Sequence, residues 1–330
     1  MGRLDEEDLL RRAAALAAPG LPAGWVGPGD DAALVPRGDG WLVVSTDLSV
    51  EGVHFRRTWA PAAVLGGRAV RVAVSDLAAM GADPVGIFVS AALPAGLGNG
   101  PAEELLEGIA GAARDLGVPL LGGDLAGSPG GIVLDVTALG EADRGRVRLR
   151  SGGRPGDLLA VTGPLGLARA GLAMLDGPGP AREGAPVRGL LVPEPRLAEG
   201  RWLAGRGEVH AMMDLSDGLA ADAPRLARAS GCGLVLELDR VPRHPDADEV
   251  AAATGEDPAV FAAAGGEDYE LLVAVEEGAF PALAAAFEER FGRPLVPLGR
   301  LLPDSSRRAA TRAGRPVSFP DPGYAHFRRP

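Results

Sequence analysis

Apolar and polar residues follow one another along the chain in short blocks, and these blocks predict an alternation of strands and helices. Residues 41–46 are mostly apolar or β-branched and lie between glycine-rich stretches, which predicts a buried strand that ends at Ser45, Thr46 and Asp47. Residues 61–80 repeat apolar side chains every three or four positions before Gly81, which predicts a helix and its stop. Further strands are predicted over residues 85–93, 120–121, 132–139, 158–162, 209–213, 234–238 and 269–275, and further helices over residues 4–17, 101–116, 163–175, 219–229 and 280–291. In the first of these helices, packing contacts are expected from Leu4, Leu9, Leu10 and Leu16.

The length of the chain predicts two domains. Its 330 residues suffice for two cores of ordinary size, and a basic, glycine-rich connection over residues 144–154 places the boundary between domains at residues 1–143 and 144–330. The chain is 46% hydrophobic and 23% charged, which is typical of globular proteins, and no apolar run reaches the roughly 18 residues of a membrane span. The N-terminus lacks an apolar signal core, so we expect a cytoplasmic protein without a membrane partner.

Charge and residue usage exclude several classes of function. The net charge of −11 argues against nucleic acid as a partner, because phosphate backbones require a positive surface. A single cysteine, Cys232, excludes an internal disulfide and a cysteine-based zinc site. All 33 basic residues are arginine, which excludes a Walker A loop, the strand lysine of protein kinases and a lysine Schiff base. Because the net charge is negative, an anionic ligand would need cations as mediators.

Several aspartates stand at predicted strand ends, loops or helix edges rather than on solvated faces. Carboxylates about 4 Å apart repel each other by roughly 1 to 4 kcal/mol per pair, so a cluster of them requires cations. Oxygen ligands on rigid elements suit Mg²⁺, which fills its other positions with water and phosphate oxygens. The candidate cluster comprises Asp30, Asp47, Asp76, Asp124, Asp214 and Asp217.

Asp76 is the most informative of these residues. It lies on the apolar stripe of its predicted helix, near the C-terminus, where it loses hydration and meets the negative end of the helix dipole. A metal shared with Asp47 is the favoured interpretation, and a structural arginine partner is the alternative. For the other aspartates the alternatives are turns for Asp30 and Asp31, the cap of a strand end for Asp47, and a helix N-cap for the run from Asp214 to Gly218. Gly122 and Gly123 could let backbone N–H groups approach an anion.

The chain resembles the thiamine-monophosphate kinase family, part of the superfamily that includes aminoimidazole ribonucleotide synthetase and selenophosphate synthetase. The resembling stretches occur in family order and cover nearly the whole chain. They are Gly29-Asp30-Asp31, Ser45-Thr46-Asp47, Glu51-Gly52-Val53-His54-Phe55, Ser75-Asp76-Leu77-Ala78-Ala79-Met80-Gly81-Ala82, Gly122-Gly123-Asp124, Arg150-Ser151-Gly152, Asp214-Leu215-Ser216-Asp217-Gly218-Leu219 and Gly265-Gly266-Glu267-Asp268-Tyr269-Glu270-Leu271.

The resemblance implies ATP-dependent phosphorylation of thiamine monophosphate to the diphosphate by an α+β protein. Its fold would be the two-domain synthetase-like one, with mixed and antiparallel sheets flanked by helices, and its N-terminal domains would pair into a homodimer. The resemblance places several Mg²⁺ ions on Asp30, Ser45, Thr46, Asp47, Asp76, Asp124, Asp214 and Asp217. It places ATP on Gly123, Asp124, Arg150 and Ser216, and the substrate on His54, Glu267 and Tyr324.

This chemistry agrees with the residues. The attacking phosphate oxygen is largely ionised near neutral pH, so no general base is predicted, and positioning with charge neutralisation suffices. Arg150 is the candidate protein cation. Tyr324 could stack on the substrate ring, and Glu267 could either accept a hydrogen bond from the ring amino group or offset the positive thiazolium.

Two other functions compete with the kinase. One is a sister synthetase of the same superfamily. The selenophosphate branch is disfavoured because the chain lacks a reactive N-terminal cysteine with a nearby lysine, and the aminoimidazole branch would lack the run from Gly265 to Leu271. The other is a non-catalytic scaffold that binds metal or nucleotide through the same aspartates. Formation of ADP and thiamine diphosphate distinguishes the kinase from both.

Overall fold

The N-terminal half of the chain forms a five-stranded mixed sheet with two long helices packed on it. The computed structural model describes residues 6–177 and 183–323. The strands are β1 (Ala33–Arg37), β2 (Gly40–Val50), β3 (Asp83–Pro94), β4 (Leu120–Ser128) and β5 (Val133–Asp143). The helices of this half are α1 (Glu6–Ala17), α2 (Ala62–Ala79) and α3 (Asn99–Asp115). The strand order is β1-β2-β5-β3-β4, antiparallel except for the parallel pair β3 and β4.

Helix α2 is the central element of this half, because it contacts β2, β5 and α3 and is buried along most of its length. Its packing on α3 is very close. A methyl group at Gly108 would lie 1.8 Å from the carbonyl oxygen of Ala63, so no side chain fits there. The close contact holds α2 in place beneath the sheet, with Asp76 in its last turn.

The C-terminal half is a second mixed sheet of seven strands. They are β6 (Leu158–Val161), β7 (Val209–Asp214), β8 (Gly233–Glu237), β9 (Leu271–Val275), β10 (Val296–Leu302), β11 (Arg308–Arg312) and β12 (Arg315–Val317). Their order is β12-β11-β8-β10-β6-β9-β7. The helices are α4 (Leu167–Asp176), α5 (Ala185–Leu191), α6 (Leu197–Ala204), α7 (Leu219–Ala229), α8 (Pro245–Thr254), α9 (Pro258–Ala264) and α10 (Phe280–Phe291).

The predicted α+β class with mixed sheets and flanking helices is confirmed, and α7 and α10 begin and end at the predicted residues. Two strands are longer than predicted. Strand β2 continues to Val50 because it pairs with β5 along its whole length, so Asp47 lies inside the strand. Strand β4 continues through Gly122 and Gly123 to Ser128 because it pairs with β3. The boundary at residues 143 and 144 lies between the two sheets and stays a prediction.

The expected packing of the first helix is wrong for the leucines that the structure describes. Leu9, Leu10 and Leu16 are 42%, 59% and 83% exposed. Among the described residues, α1 has its main contacts with the short 3-10 helix Ala18–Gly20 that follows it, so no core forms beneath its apolar side. In the part of the chain that the structure describes, no helix combines the length and the apolar character needed to cross a bilayer.

Candidate active site

Three carboxylates from distant parts of the sequence, two of them buried and that of Asp76 partly buried, converge between the two halves of the protein. Asp31 precedes β1, Asp76 lies in the last turn of α2, and Asp214 ends β7. One carboxylate oxygen of each lies within 4.8 Å of the others. Ser75 donates a hydrogen bond of 2.5 Å to Asp214, so α2 from the N-terminal half is bonded directly to β7 from the C-terminal half.

Burial and mutual repulsion disfavour the charged forms of these three groups. Burial raises the pKa of Asp76 well above its ordinary value, and the neighbouring Asp214 and Asp31 raise it further. Burial and Asp31 likewise raise the pKa of Asp214. Ser45 donates a hydrogen bond to Asp76, which opposes the rise only in part. Oδ2 of Asp31 is buried and has no hydrogen-bond partner among the described residues, so one oxygen of the cluster remains unsatisfied.

The turn at Arg150 supplies one cation at the edge of the cluster. The Arg150 side chain donates to Oδ1 of Asp31 through Nε, at 3.2 Å, and through Nη2. Its backbone N–H donates to the carboxylate of Asp30 at 3.1 Å, and Ser230 donates to its carbonyl oxygen at 2.7 Å. Burial and the nearby Asp31 raise the pKa of Asp30 to about 7. Asp30 therefore holds the backbone of this turn, whereas Asp31 holds its side chain.

A cavity of about 330 Å³ adjoins the cluster. Asp47 is part of its wall and is close enough to Asp76 to raise the pKa of that carboxyl. Burial raises the pKa of Asp47 itself to about 6, an effect that nearby Arg68 opposes. The predicted site residues on the cavity wall are Asp47, His54, Ser216, Asp217 and Glu267, and its other charged or aromatic residues are Trp59, Arg68, Arg169 and Tyr269.

The loop that carries Glu267 is strained and firmly held. Glu267 and Tyr269 have φ angles of 67° and 51°, a left-handed conformation that costs a residue with a side chain about 1 to 3 kcal/mol. Their backbone N–H groups donate to the carbonyl oxygens of Ser216, at 2.8 Å, and Leu215, at 3.0 Å. Between them, the carboxylate of Asp268 accepts from backbone N–H groups at the start of α4. The loop is thereby fixed to the end of β7.

Helix capping does not explain the aspartates after β7. The N-cap of α7 is Gly218, which has no side chain to cap the helix. Asp217 pairs instead with Arg225, and Arg225 also binds Asp222 at 2.7 Å. Gly218 itself is required, because a methyl group there would lie 2.4 Å from the carbonyl oxygen of Gly265. Asp217 thus stays in the cavity wall.

Strand alternation divides the predicted ligands between the two faces of the N-terminal sheet. Ser45 and Asp47 face α2, whereas Thr46 faces outward and donates to Asp135 at 2.7 Å. Asp124 pairs with Ser90 in the ladder, which places it on the outward face as well. A methyl group at Gly123 would lie 1.8 Å from the carbonyl oxygen of Val89, so close strand packing accounts for that glycine. The structure therefore does not bring Thr46 or Asp124 to the cluster within one chain.

The cluster includes one residue that was not a predicted ligand, and one predicted substrate residue lies outside the described residues. Asp31, which is not among the predicted ligands, is the third member of the cluster, and its position in the Gly29-Asp30-Asp31 run was the only signal for it. Nδ1 of His54 accepts from the backbone of Val50 at 3.0 Å, which orients the ring on the cavity wall. Tyr324 lies outside the described residues.

Two family models and similar solved structures define the class to which this protein belongs. Residues 29–142 match the family model of the AIR synthase related protein, N-terminal domain, and residues 154–306 match that of the C-terminal domain. The AaThiL structure complexed with AMPPCP and TMP superposes with a TM-score of 0.81 at 28% identity, over 96% of this chain and 97% of that one. HypE in complex with ATP shares the fold, with a TM-score of 0.68 at 20% identity, over 88% and 87% of the two chains.

Curated relatives then define the particular family. The thiamine-monophosphate kinase of Mycobacterium tuberculosis strain H37Rv is 40% identical over 78% of this chain and 76% of its own length. That of Salmonella typhimurium strain LT2 is 35% identical over 92% of each chain. The chain belongs to the thiamine-monophosphate kinase family. The predicted resemblance and the interpretation of the chain as an enzyme of this family are confirmed.

Proposed function

We propose that this protein phosphorylates thiamine monophosphate to thiamine diphosphate, with ATP as phosphoryl donor and Mg²⁺ as cofactor. The carrying observation is the convergence of Asp31, Asp76 and Asp214 beside a cavity whose wall includes Asp47 and Glu267. Membership of the kinase family supports the reaction, and the complex of AaThiL with AMPPCP and TMP supports both ligands.

The residues of the cluster fit magnesium. They offer hard carboxylate oxygens from rigid elements, and the buried Oδ2 of Asp31 has no protein partner among the described residues. Bound there, Mg²⁺ would neutralise phosphate charge and orient the phosphate oxygens. We propose Asp31, Asp76 and Asp214 as the central ligands. The other ligands implied by the resemblance, which stay predictions, are Asp30, Ser45, Thr46, Asp47, Asp124 and Asp217.

The protein's own contribution is positioning and charge. The acceptor phosphate is already largely ionised near neutral pH, so no side chain has to remove a proton from it. Arg150, held by Asp30, Asp31 and Ser230, is fixed beside the cluster where it can donate to phosphate oxygens. Gly123, Asp124, Arg150 and Ser216 remain the proposed ATP contacts, and His54, Glu267 and Tyr324 the proposed substrate contacts.

A homodimer through the N-terminal sheet is the proposed assembly. The outward face and the β4 edge expose apolar side chains, among them Leu48, Phe88 and Leu125, which are 50%, 40% and 62% exposed. An exposed apolar edge strand normally requires a cover. A second copy would provide it and would place Thr46 and Asp124 at the interface. The cytoplasmic location stays a prediction.

The direct test is to incubate the purified protein with ATP, Mg²⁺ and thiamine monophosphate. We expect ADP and thiamine diphosphate in equal amounts, and no product when EDTA removes the metal. Release of ADP without thiamine diphosphate would favour a different acceptor, and absence of both products would reject the proposal.

A further inference from the structure

Arg68 is the one arginine of α2 that is almost fully buried, and it lies in the wall of the cavity. Its side chain is 2% exposed, and its Nε donates a hydrogen bond of 3.0 Å to the carbonyl oxygen of Leu190. Its Nη2 donates to Oε1 of Glu267. One end of the guanidinium is therefore fixed by backbone, so the other end cannot follow Glu267 if that side chain rotates.

The contact with Arg68 engages only one of the two carboxylate oxygens of Glu267. Its side chain is 28% exposed and forms part of the cavity wall. Among the described residues, Oε1 has the hydrogen bond from Arg68 and Oε2 has none. The left-handed backbone at Glu267, with φ of 67°, and the N–H bond to Ser216 fix the start of the side chain. Backbone and guanidinium together fix which oxygen remains available to a ligand.

We infer that Arg68 is a positioning residue that makes Glu267 a one-oxygen hydrogen-bond acceptor for the amino group of the substrate ring. This inference rests on the proposed function. The charge of Arg68, which also acts on nearby Asp47, opposes that of Glu267 within the ion pair, so the carboxylate offers a cationic thiazolium a weakened field. Its free Oε2 keeps its lone pairs and has a defined direction. The pairing therefore favours recognition of an N–H donor over charge compensation.

The test uses a substrate analogue in which a ring carbonyl replaces the amino group of thiamine monophosphate. In the Glu267→Gln variant, Arg68 keeps the amide oxygen, so the amide NH₂ faces the cavity as a donor. We expect kcat/KM for thiamine monophosphate to fall roughly 10- to 100-fold, mainly through KM, and the preference to reverse toward the carbonyl analogue. The KM for ATP should stay unchanged.

The double variant Arg68→Met with Glu267→Gln decides whether the reversal depends on Arg68. Without the guanidinium the amide can rotate, so we expect the preference between the two substrates to shrink to within about threefold. Arg68→Lys alone should weaken discrimination less than Arg68→Met, because lysine keeps the charge but loses the fixed fork. Arg71→Met, on the same helix but paired with the exposed Asp115, is the matched control and should leave discrimination unchanged.

The possible outcomes separate this inference from the proposed function. A reversed preference in Glu267→Gln that persists in the double variant would overturn the role of Arg68. Unchanged discrimination between the two substrates in Glu267→Gln would also overturn the inference. This measurement does not depend on whether the Arg68 variants fold. Wild-type protein that forms no thiamine diphosphate would instead reject the kinase function.

Discussion

Two buried acidic regions of this protein are built in opposite ways. Glu270, whose side chain is 3% exposed, accepts two bonds from Arg196, at 2.6 and 3.1 Å, and one of 2.6 Å from Thr162, and Arg293 lies 3.4 Å away. The cluster of Asp31, Asp76 and Asp214 has three carboxylates and one arginine at its edge. In the first region two arginines face one carboxylate, whereas in the second one arginine faces three carboxylates.

The difference supports the proposal that the cluster binds an external cation. The chain contains 33 arginines and pairs two of them with Glu270, so basic side chains are available wherever a structural ion pair is needed. Buried like charges without counter-charges cost free energy unless a proton or a metal neutralises them. Substitutions in the two regions should therefore have different effects, on turnover in the cluster and on stability at Glu270.

Asp76→Asn should reduce kcat by about 1000-fold or more, because an amide binds Mg²⁺ weakly and removes one of three charges. The fold should persist, since the substitution also relieves repulsion with Asp214. The measurement is steady-state formation of thiamine diphosphate together with circular dichroism. Asp83→Asn, an exposed aspartate paired with Arg201, is the control and should keep wild-type turnover. Equal turnover in both variants would return Asp76 to a structural role.

Glu270→Gln should lower the stability of the protein rather than its turnover. Removing the charge deprives Arg196 of its buried partner, while Arg196 keeps Glu194 and Arg293 keeps Glu199, and we expect a loss of roughly 1 to 3 kcal/mol in the free energy of unfolding. Urea unfolding measures this loss, and kcat of the folded variant should stay within about threefold of wild type. A stable variant with greatly reduced turnover would contradict the assignment of a structural role to this region.

Without bound metal, the free energy of unfolding should fall as the pH rises. The raised pKa values of Asp76 and Asp214 mean that the folded protein holds protons that the unfolded chain has already released above about pH 4. The free energy of unfolding of the EDTA-treated protein should therefore fall by about 1 to 2 kcal/mol between about pH 6 and about pH 8. Added Mg²⁺ should stabilise more at the higher pH. A stability that rises over this interval would contradict the prediction, and Asp76→Asn should make the fall shallower without abolishing it, because the pKa values of Asp214 and Asp30 are raised as well.

The smallest effect is expected from substitutions on β2, where Ser45 and Thr46 are neighbours on opposite faces of the strand. Ser45 donates to Asp76, so Ser45→Ala should lower kcat/KM by roughly 5- to 30-fold through loss of about 1 to 2 kcal/mol. Thr46→Val is the comparison variant rather than an inert control, because the Thr46 hydroxyl faces outward and binds Asp135 within one chain but remains a predicted Mg²⁺ ligand. Kinetic analysis of both variants distinguishes the two faces of the strand. A larger loss in Thr46→Val would place the outward face at the active site, as a dimer interface would allow.

Much of the fold follows from local patterns. Helices α7 and α10 have clear apolar periodicity and end at the predicted residues. The apolar stripe of α2 correctly placed Asp76 among buried residues that have few partners for a carboxylate. Strand ends were less predictable, because β2 and β4 extend as far as β5 and β3 provide hydrogen-bonding partners. The exposed leucines of α1 show that an amphipathic pattern predicts a helix but not what covers it.

The elements, the family and the acidic, lysine-free chemistry follow from residue type and short-range spacing, so the amino-acid sequence suffices to predict them. The choice of Asp31 rather than Asp30 as the partner of Asp76 and Asp214, and the contact of Arg68 with Glu267, depend on the folded chain. These contacts join residues 45 to 199 positions apart, and their geometry depends on how two sheets pack around α2. Short-range sequence patterns contain no information on how the two sheets pack.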